Sequence, residues 1–173
     1  MLVLEIGANI KPQAKYVWEN ATIETMDADA AQNPTYINDA RKMPEHLYGK
    51  FDAVFASHVL EHIPYWEAHA ALIEWGKVIK PGGELHIVVP SLEWAAEQIL
   101  SEKPSKAIMP HLFAGLTTAW DVHLSGYTMR NLRSYMEIAG YRVIRARSGP
   151  YTLLVDNVPH EAEQHYVAGI KEG

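Results

Sequence analysis

Ser57, His58, Glu61 and His62 put a hydroxyl, two imidazoles and a carboxylate within six positions. An unperturbed histidine titrates near ~6.5, so His58 is suited to taking or giving a proton near neutral pH. His123 offers a second imidazole of that kind, with the carboxylate of Asp121 two residues before it. Asp27, Asp29 and Asp39 follow short apolar runs, where a carboxylate accepts hydrogen bonds from hydroxyls or amines. Each has a structural reading as well. Aspartates at strand ends make turns, and Glu61 with His62 can cap and orient a loop. Asp52 reads as solvated or loop-bonded, His46, His69, His160 and His165 as surface residues, and Trp66 and Trp75 as helix packing. No dedicated metal site is expected from the nine histidines. The absence of cysteine excludes thiolate ligands and disulfides.

These groups need a frame, and residues 51–90 supply it. Residues 51–56 are an apolar run of strand length. Ala68, Ala71, Leu72, Trp75, Val78 and Ile79 then fall at helical spacing, with Glu67, Glu74 and Lys77 on the wet side. Pro81 cannot continue that helix, and Gly82-Gly83 supply a turn before a buried strand over 85–89. Two buried strands joined by a helix imply parallel pairing. Ligands of open parallel sheets sit outside the carboxyl ends of the strands, which is where Ser57, His58, Glu61 and His62 fall.

The remaining chain extends the pattern. Residues 2–6 read as a strand and Gly7-Ala8-Asn9 as its turn; residues 10–21 lack a helical stripe and read as loop or one or two turns. Short strands are expected over 22–26 and 35–38, with one helical turn at 30–33 between them and connecting loop over 41–50. Ser91 caps a helix whose inner face is Leu92, Ala95, Ala96 and Ile99. Residues 105–127 have no clear period and are rich in Pro, Gly, His and aromatics, which suggests an ordered lid over 104–127. Thr128 caps a helix with Leu132, Tyr135, Met136 and Ala139 inward, and Gly140 ends it. Residues 141–147, 151–155 and 165–170 read as extended, closing an antiparallel edge.

The 173 residues fit one domain, and 48% hydrophobic content is ample for one core. The net charge of −6 shows no basic block, so a nucleic-acid partner held by phosphate contacts is not expected. No apolar run reaches a membrane span of ~20 residues, and the N-terminal run is too short for a signal-peptide core. A cytoplasmic protein with no membrane partner is the expectation.

Asp27 is the informative acid. In nucleoside-binding doubly wound folds a carboxylate at that strand end meets the ribose hydroxyls. One glycine follows the first strand, where a dinucleotide's pyrophosphate needs several and a helix N-terminus. A nucleoside ligand without phosphate does not need them. Four further segments complete the pattern: Leu4-Glu5-Ile6-Gly7-Ala8-Asn9, Met26-Asp27-Ala28-Asp29, Asn38-Asp39-Ala40-Arg41-Lys42-Met43-Pro44 and Lys80-Pro81-Gly82-Gly83-Glu84-Leu85. With Phe51 through His62 and His123-Leu124-Ser125-Gly126-Tyr127-Thr128, the chain resembles the class I S-adenosylmethionine-dependent methyltransferases, of the compact bacterial and phage type. That resemblance implies a single Rossmann-like α/β domain over residues 1–173, with a mostly parallel, doubly wound sheet of about seven strands and helices on both faces.

It also implies S-adenosylmethionine as cofactor. Glu5, Gly7 and Ala8 would lie near its methionine part, Asp27 and Ala28 at the ribose, Asp39 and the Ala40 amide at the adenine, and Ser57 and His58 on the floor by the amino group and methyl. Ala8 and Asn9 depart from the family's usual small residues, commonly Cys-Gly, and the span from Asp27 to Asp39 is short. The expected activity is methyl transfer to a small-molecule, glycan or protein acceptor, with His58 and His123 as candidate bases. No Asn/Asp-Pro-Pro-Tyr loop follows residue 56, so methylation of an adenine or glutamine amine is not favoured. The alternatives are a cofactor-binding module or partner subunit without catalysis of its own, and a nicotinamide-dependent oxidoreductase. The acceptor atom and the oligomeric state are not readable.

Overall fold

In the computed structural model, residues 1–8, 12–118 and 120–172 are described. The alternation of apolar residues lays out seven strands: β1 (Leu2–Ile6), β2 (Thr22–Asp27), β3 (Tyr36–Ile37), β4 (Phe51–Ser57), β5 (Ile79–Pro90), β6 (Tyr141–Val155) and β7 (Val158–Lys171). They form one sheet in the order β3-β2-β1-β4-β5-β7-β6. The first five pair in parallel and β7 runs antiparallel between β5 and β6. The carboxyl ends of β1, β2 and β4 therefore share one edge, and β4 lies beside β1 as the sequence predicts.

Successive residues of a strand face opposite sides. Val54 and Ala56 of β4 face a large core with Leu4, Ile6, Leu85 and Ile87. That core is closed by Ala68, Leu72 and Trp75 of α1 (Tyr65–Val78) and by Leu132 and Met136 of α4 (Met129–Ile138). Ala53 and Phe55 face the other side, with Val3, Val88, Tyr166 and Ala168. The cover there is Ala14, in a single 3-10 turn (Ala14–Tyr16), and Trp18, whose ring meets Phe55 edge-on. Helical segments thus lie on both faces but unequally. The first crossover is too short for a full helix, so one turn and an indole do the covering.

Several local signals act as the sequence suggests. Thr128 caps α4 through Asn131 N, Ser91 caps α2 (Leu92–Leu100) through Trp94 N, and Gly140 follows α4 at φ +91°. The Pro81-Gly82-Gly83 turn is absorbed into β5 as a bulge: Phe51 pairs with Ile79, and Ala53 next pairs with Glu84. A Cβ on Gly83 would lie 2.6 Å from the Asp52 carbonyl oxygen, so the bulge needs glycine there. Asp52 is loop-bonded, accepting from Leu2 N and Lys80 Nζ at 2.6 Å each.

Other expectations are corrected. Ala96 and Ile99 of α2 are exposed and only Ala95 is fully buried, because this helix packs its narrow side on α3 (Ile108–Phe113). That helix lies inside the stretch read as irregular. Trp66 is exposed, while Trp75 is fully buried and donates to the Ala40 carbonyl at 2.8 Å. His165 is buried between Ser148 Oγ and Glu93. The two extended pieces over 141–155 are one strand, which turns into β7 through Asp156 and Asn157, both at positive φ. That is the two-residue turn favoured by hairpin twist. Among the described residues no helix is long and apolar enough to cross a membrane.

Trp75 ties α1 to the loop after β3, so Trp75→Phe keeps most of the packing and removes one donor. Leaving the Ala40 carbonyl unpartnered should lower unfolding free energy by about 1–3 kcal/mol, read from the urea midpoint. An unchanged midpoint would show that water satisfies the carbonyl equally well.

Candidate functional site

A cleft of about 880 Å³ opens along the carboxyl ends of β1, β2, β3 and β4. One wall comes from strand ends: Ile6 and Gly7, then Asp27, Ala28 and Asp29, then Asn38 to Arg41. Ser57, His58 and Val59 form the floor, and Tyr151, Leu153 and Gln164 of the β6–β7 hairpin face it. The hairpin reaches this far because β7 pairs with β5 only up to Gln164 opposite Pro90. Beyond that point the two strands continue together past the sheet.

Gly7 makes the turn out of β1 at φ +68°, with its amide donating to the Met26 carbonyl at 2.8 Å. A Cβ there would meet Val59 Cγ2 at 2.3 Å. Ala8 is buried behind the turn and is not part of the lining; Asn9 lies outside the described residues. Glu5 is also off the wall. Its carboxylate accepts from Gln13 N and Ala14 N at 2.8 Å each, capping the 3-10 turn that stands in for a crossover helix. Burial lifts its carboxyl above the usual range, against those two bonds. Through this cap Glu5 sets Gln13, which lines the cleft and accepts from Ser57 Oγ at 3.3 Å.

Asp27 lines the cleft and accepts from Asp29 N through Oδ1 at 2.8 Å. Burial raises its carboxyl, with the neighbouring Asp29 charge adding to the effect. Asp29 caps the 3-10 turn Ala30–Gln32 through Ala31 N. Asp39 is on the wall but engaged: Arg41 grips it through backbone N, Nε and Nη2, at 2.6–3.0 Å, which lowers its carboxyl. This wall carries three carboxylates, and its one guanidinium is already paired. Such an acceptor set fits a nucleoside, whose hydroxyls and exocyclic amine seek acceptors, and does not fit a pyrophosphate.

The floor is built on a second left-handed turn. His58 has φ +55° and its amide donates to the Val88 carbonyl at 2.9 Å. A non-glycine residue there carries strain of roughly 1–2 kcal/mol. Its ring stands 5.1 Å from that of Tyr151, with Nε2 at 2.9 Å from Gln164 Oε1 and Nδ1 at 3.1 Å from Glu61 Oε1. Burial pulls the His58 imidazole down, but Glu61 and then Gln164 outweigh it, and the balance is upward. Burial raises Glu61, and His58, His62 and His123 together bring it below the usual carboxylate range.

His123 is not on the main cleft. It lines a small adjoining pocket with Glu61, His111, Ser125 and Tyr127. Asp121 does line the cleft but is taken up by its own loop, accepting from Thr117 N and Oγ1 and from Gly115 N. The sequence reading gives His62 only a loop-capping role and passes over Gln13, Tyr151 and Gln164. His62 follows His58 by four positions, a ligand spacing that is visible once the two are taken as a pair; Tyr151 and Gln164 carry no such signal and are placed only by strand register.

A family model described as a methyltransferase domain matches residues 1–146. No curated protein matches the chain. Among solved structures, a candidate methyltransferase of Bacillus halodurans is 13% identical with a TM-score of 0.72, covering 99% of this chain and 93% of that one. An S-adenosylmethionine-dependent methyltransferase of Methanosarcina mazei is 13% identical with a TM-score of 0.70, covering 99% and 92%. The 1,6-didemethyltoxoflavin-N1-methyltransferase of Burkholderia thailandensis, with 1,6-didemethyltoxoflavin and S-adenosylhomocysteine bound, is 13% identical with a TM-score of 0.66, covering 99% and 71%. At such identities the likeness is one of fold.

The contact between Gly7 and Val59 gives a separable prediction. Gly7→Ala should destabilise the chain through both the left-handed φ and the clash. Adding Val59→Ala should recover the clash part, so that the double variant is more stable than the sum of the singles by about 0.5–3 kcal/mol. Strict additivity in urea unfolding would mean the two turns do not touch in solution.

Proposed function

The chain belongs to the methyltransferase-domain family, with the fold of the class I S-adenosylmethionine-dependent enzymes, and on that premise we propose that it methylates a small polar molecule held in the cleft. The acceptor-rich wall at the ends of β2 and β3 is the observation that carries this reading. Asp27 would hold the ribose hydroxyls, Asn38 to Ala40 would border the adenine, and Gly7 and Ser57 would flank the methionine part. Glu5 and Ala8 would act behind them, through the Gln13 turn and the packing of Gly7.

S-adenosylmethionine supplies a methyl group already activated on a sulfonium. What remains for the protein is alignment, bringing acceptor and methyl carbon within ~3–3.5 Å. His58 is the wall residue suited to holding the proton that an acceptor hydroxyl or amine gives up as its bond to carbon forms. His123 stands behind that wall. The cleft, at about 880 Å³, is at the upper end of small-molecule sites at ~300–1,000 Å³ and has room for a cofactor beside a modest acceptor. A glycan unit or a protein side chain could enter the same opening, and residues 104–127 would cover it as a lid. A net charge of −6 with no basic block supports a small-molecule acceptor over a nucleic acid.

Two variants test this together. Hydrogen bonds to a charged group are worth ~1.5–3 kcal/mol, so Asp27→Ala should weaken S-adenosylhomocysteine binding by about 10- to 100-fold in calorimetry. His58→Ala should leave that affinity within about threefold and lower release of S-adenosylhomocysteine from S-adenosylmethionine in an acceptor screen. Wild-type affinity in Asp27→Ala would remove the ribose contact. Tight binding with no release from the wild-type protein across acceptor classes would favour a binding module or a partner subunit.

A further inference from the structure

Behind the cleft floor lies a group of side chains that cofactor binding does not use. The Glu61 side chain is 1% exposed, and both its carboxylate oxygens are buried without a hydrogen-bond donor of good geometry among the described residues. An ionised carboxylate is not left so in a protein interior unless positive charge meets it. One ligand atom each from Glu61, His62 and His123 lies within 4.8 Å of the others. Among them, His123 Nε2 is 3.9 Å from Glu61 Oε1.

The outer hydrogen bonds fix which nitrogens are available. His62 Nδ1 is 2.9 Å from the Val122 carbonyl oxygen, and His123 Nδ1 is 3.0 Å from the His111 carbonyl oxygen. A carbonyl only accepts, so each Nδ1 carries the proton and donates it. In the neutral ring Nε2 then bears a lone pair. Two such imidazoles and a carboxylate gathered within that distance are three electron-pair donors of the kind that hold a metal ion. A backbone carbonyl holding the far nitrogen of a histidine is also the usual support of a metal ligand.

The backbone already holds these residues together. Glu61 and His62 lie on the 3-10 turn Leu60–His62 after β4, and His123 lies on the loop before Tyr127. The Glu61 carbonyl accepts from Leu124 N at 2.7 Å and Ser125 N at 3.1 Å, which joins turn to loop. We infer that Glu61, His62 and His123 form a binding site for one divalent transition-metal ion. Two imidazoles and a carboxylate suit zinc, cobalt or manganese and leave a position open in a tetrahedral site. Bonds of ~2.1 Å put ligand atoms ~3.4 Å apart, so the three side chains close in by about an ångström or less on binding. His62 lines the cleft, so an oxygen of the acceptor can reach the open position; this last role rests on the methyl-transfer reading, but the site itself does not.

The rival is a purely protonic arrangement, in which a His58 imidazolium, with Nδ1 at 3.1 Å, alone neutralises Glu61. Titration of the chelator-treated full chain with cobalt(II) alone separates them. The proposal expects a saturable visible ligand-field band at one cobalt per chain, displaced by one equivalent of zinc. His62→Ala and His123→Ala should each weaken binding by at least the ~10–100-fold that follows loss of a ligand's own supporting partner. His46→Ala, an exposed histidine elsewhere, should leave it unchanged. His62→Gln, a milder change, repeats the test should either alanine variant lose its far-ultraviolet dichroism. No saturable band in the folded wild-type chain, or a band that survives loss of His62, overturns the site. The titration contains no cofactor or acceptor, so its failure leaves S-adenosylhomocysteine binding to be judged separately.

Discussion

A buried carboxylate in the turn after the central strand has to be met by something, and the carboxyl-end architecture is arranged around that demand. Glu61 has almost no exposure, and three imidazoles converge on it from two separate parts of the chain. The same residue joins those parts through its backbone, since its carbonyl takes the amides of Leu124 and Ser125. Ser125 Oγ adds a bond to the Ile63 carbonyl at 3.0 Å. The long segment after α2 is therefore fastened to the β4 turn at one end of the cleft, although residues such as Phe113, Leu116 and Trp120 remain exposed. Charge compensation and loop placement are one event here.

The other half of the site answers a different constraint, shortage of chain. Between β1 and β2 the described residues hold one 3-10 turn where a doubly wound fold ordinarily has a helix. A helix would bring its own N-terminal amides to the ligand. In this chain Glu5 takes the two available amides itself, at Gln13 and Ala14. The donors of that turn are consumed, so recognition of a ligand would pass to side chains at the strand ends. That is consistent with a wall of carboxylates, which suits hydroxyls and amines.

What the sequence discloses and what it hides divide along the range of the interactions. Gly7, Asp27, Ala28, Asp39, Ala40, Ser57 and His58 all line the cleft, because each follows a strand whose apolar run is short and local. The caps at Ser91 and Thr128 are local in the same way. Glu5 reads as a ligand-side acid because its position follows the family pattern, yet its partners are eight and nine residues on, in a turn with no periodicity to announce it. His165 reads as surface and is buried because its partners, Glu93 and Ser148, arrive through α2 and β6. Tyr151 and Gln164 reach the cleft only through the fourteen-residue length of β7 and its register with β6. The Asp156-Asn157 dipeptide is a readable hairpin turn, and taking it as one would join the two extended stretches.

The two halves meet at one contact. Gly7 leaves β1 in the left-handed region, and His58 leaves β4 the same way, on parallel neighbouring strands. Val59, directly after His58, places Cγ2 where a Gly7 side chain would begin. The absence of a Cβ on one turn is thus the space occupied by the other. A shift of Val59 needed to relieve crowding at Gly7 would act on the adjoining His58 backbone, and through Nδ1 on Glu61. Strain of roughly 1–3 kcal/mol at such a residue persists only where its surroundings hold it. For His58 those surroundings are the Val88 carbonyl, Gln164, Glu61 and, through Val59, the bare α-carbon of Gly7. The wall that would hold a nucleoside and the floor that carries the imidazoles are in this sense one packed unit, and a change on one side is felt on the other without any helix between them.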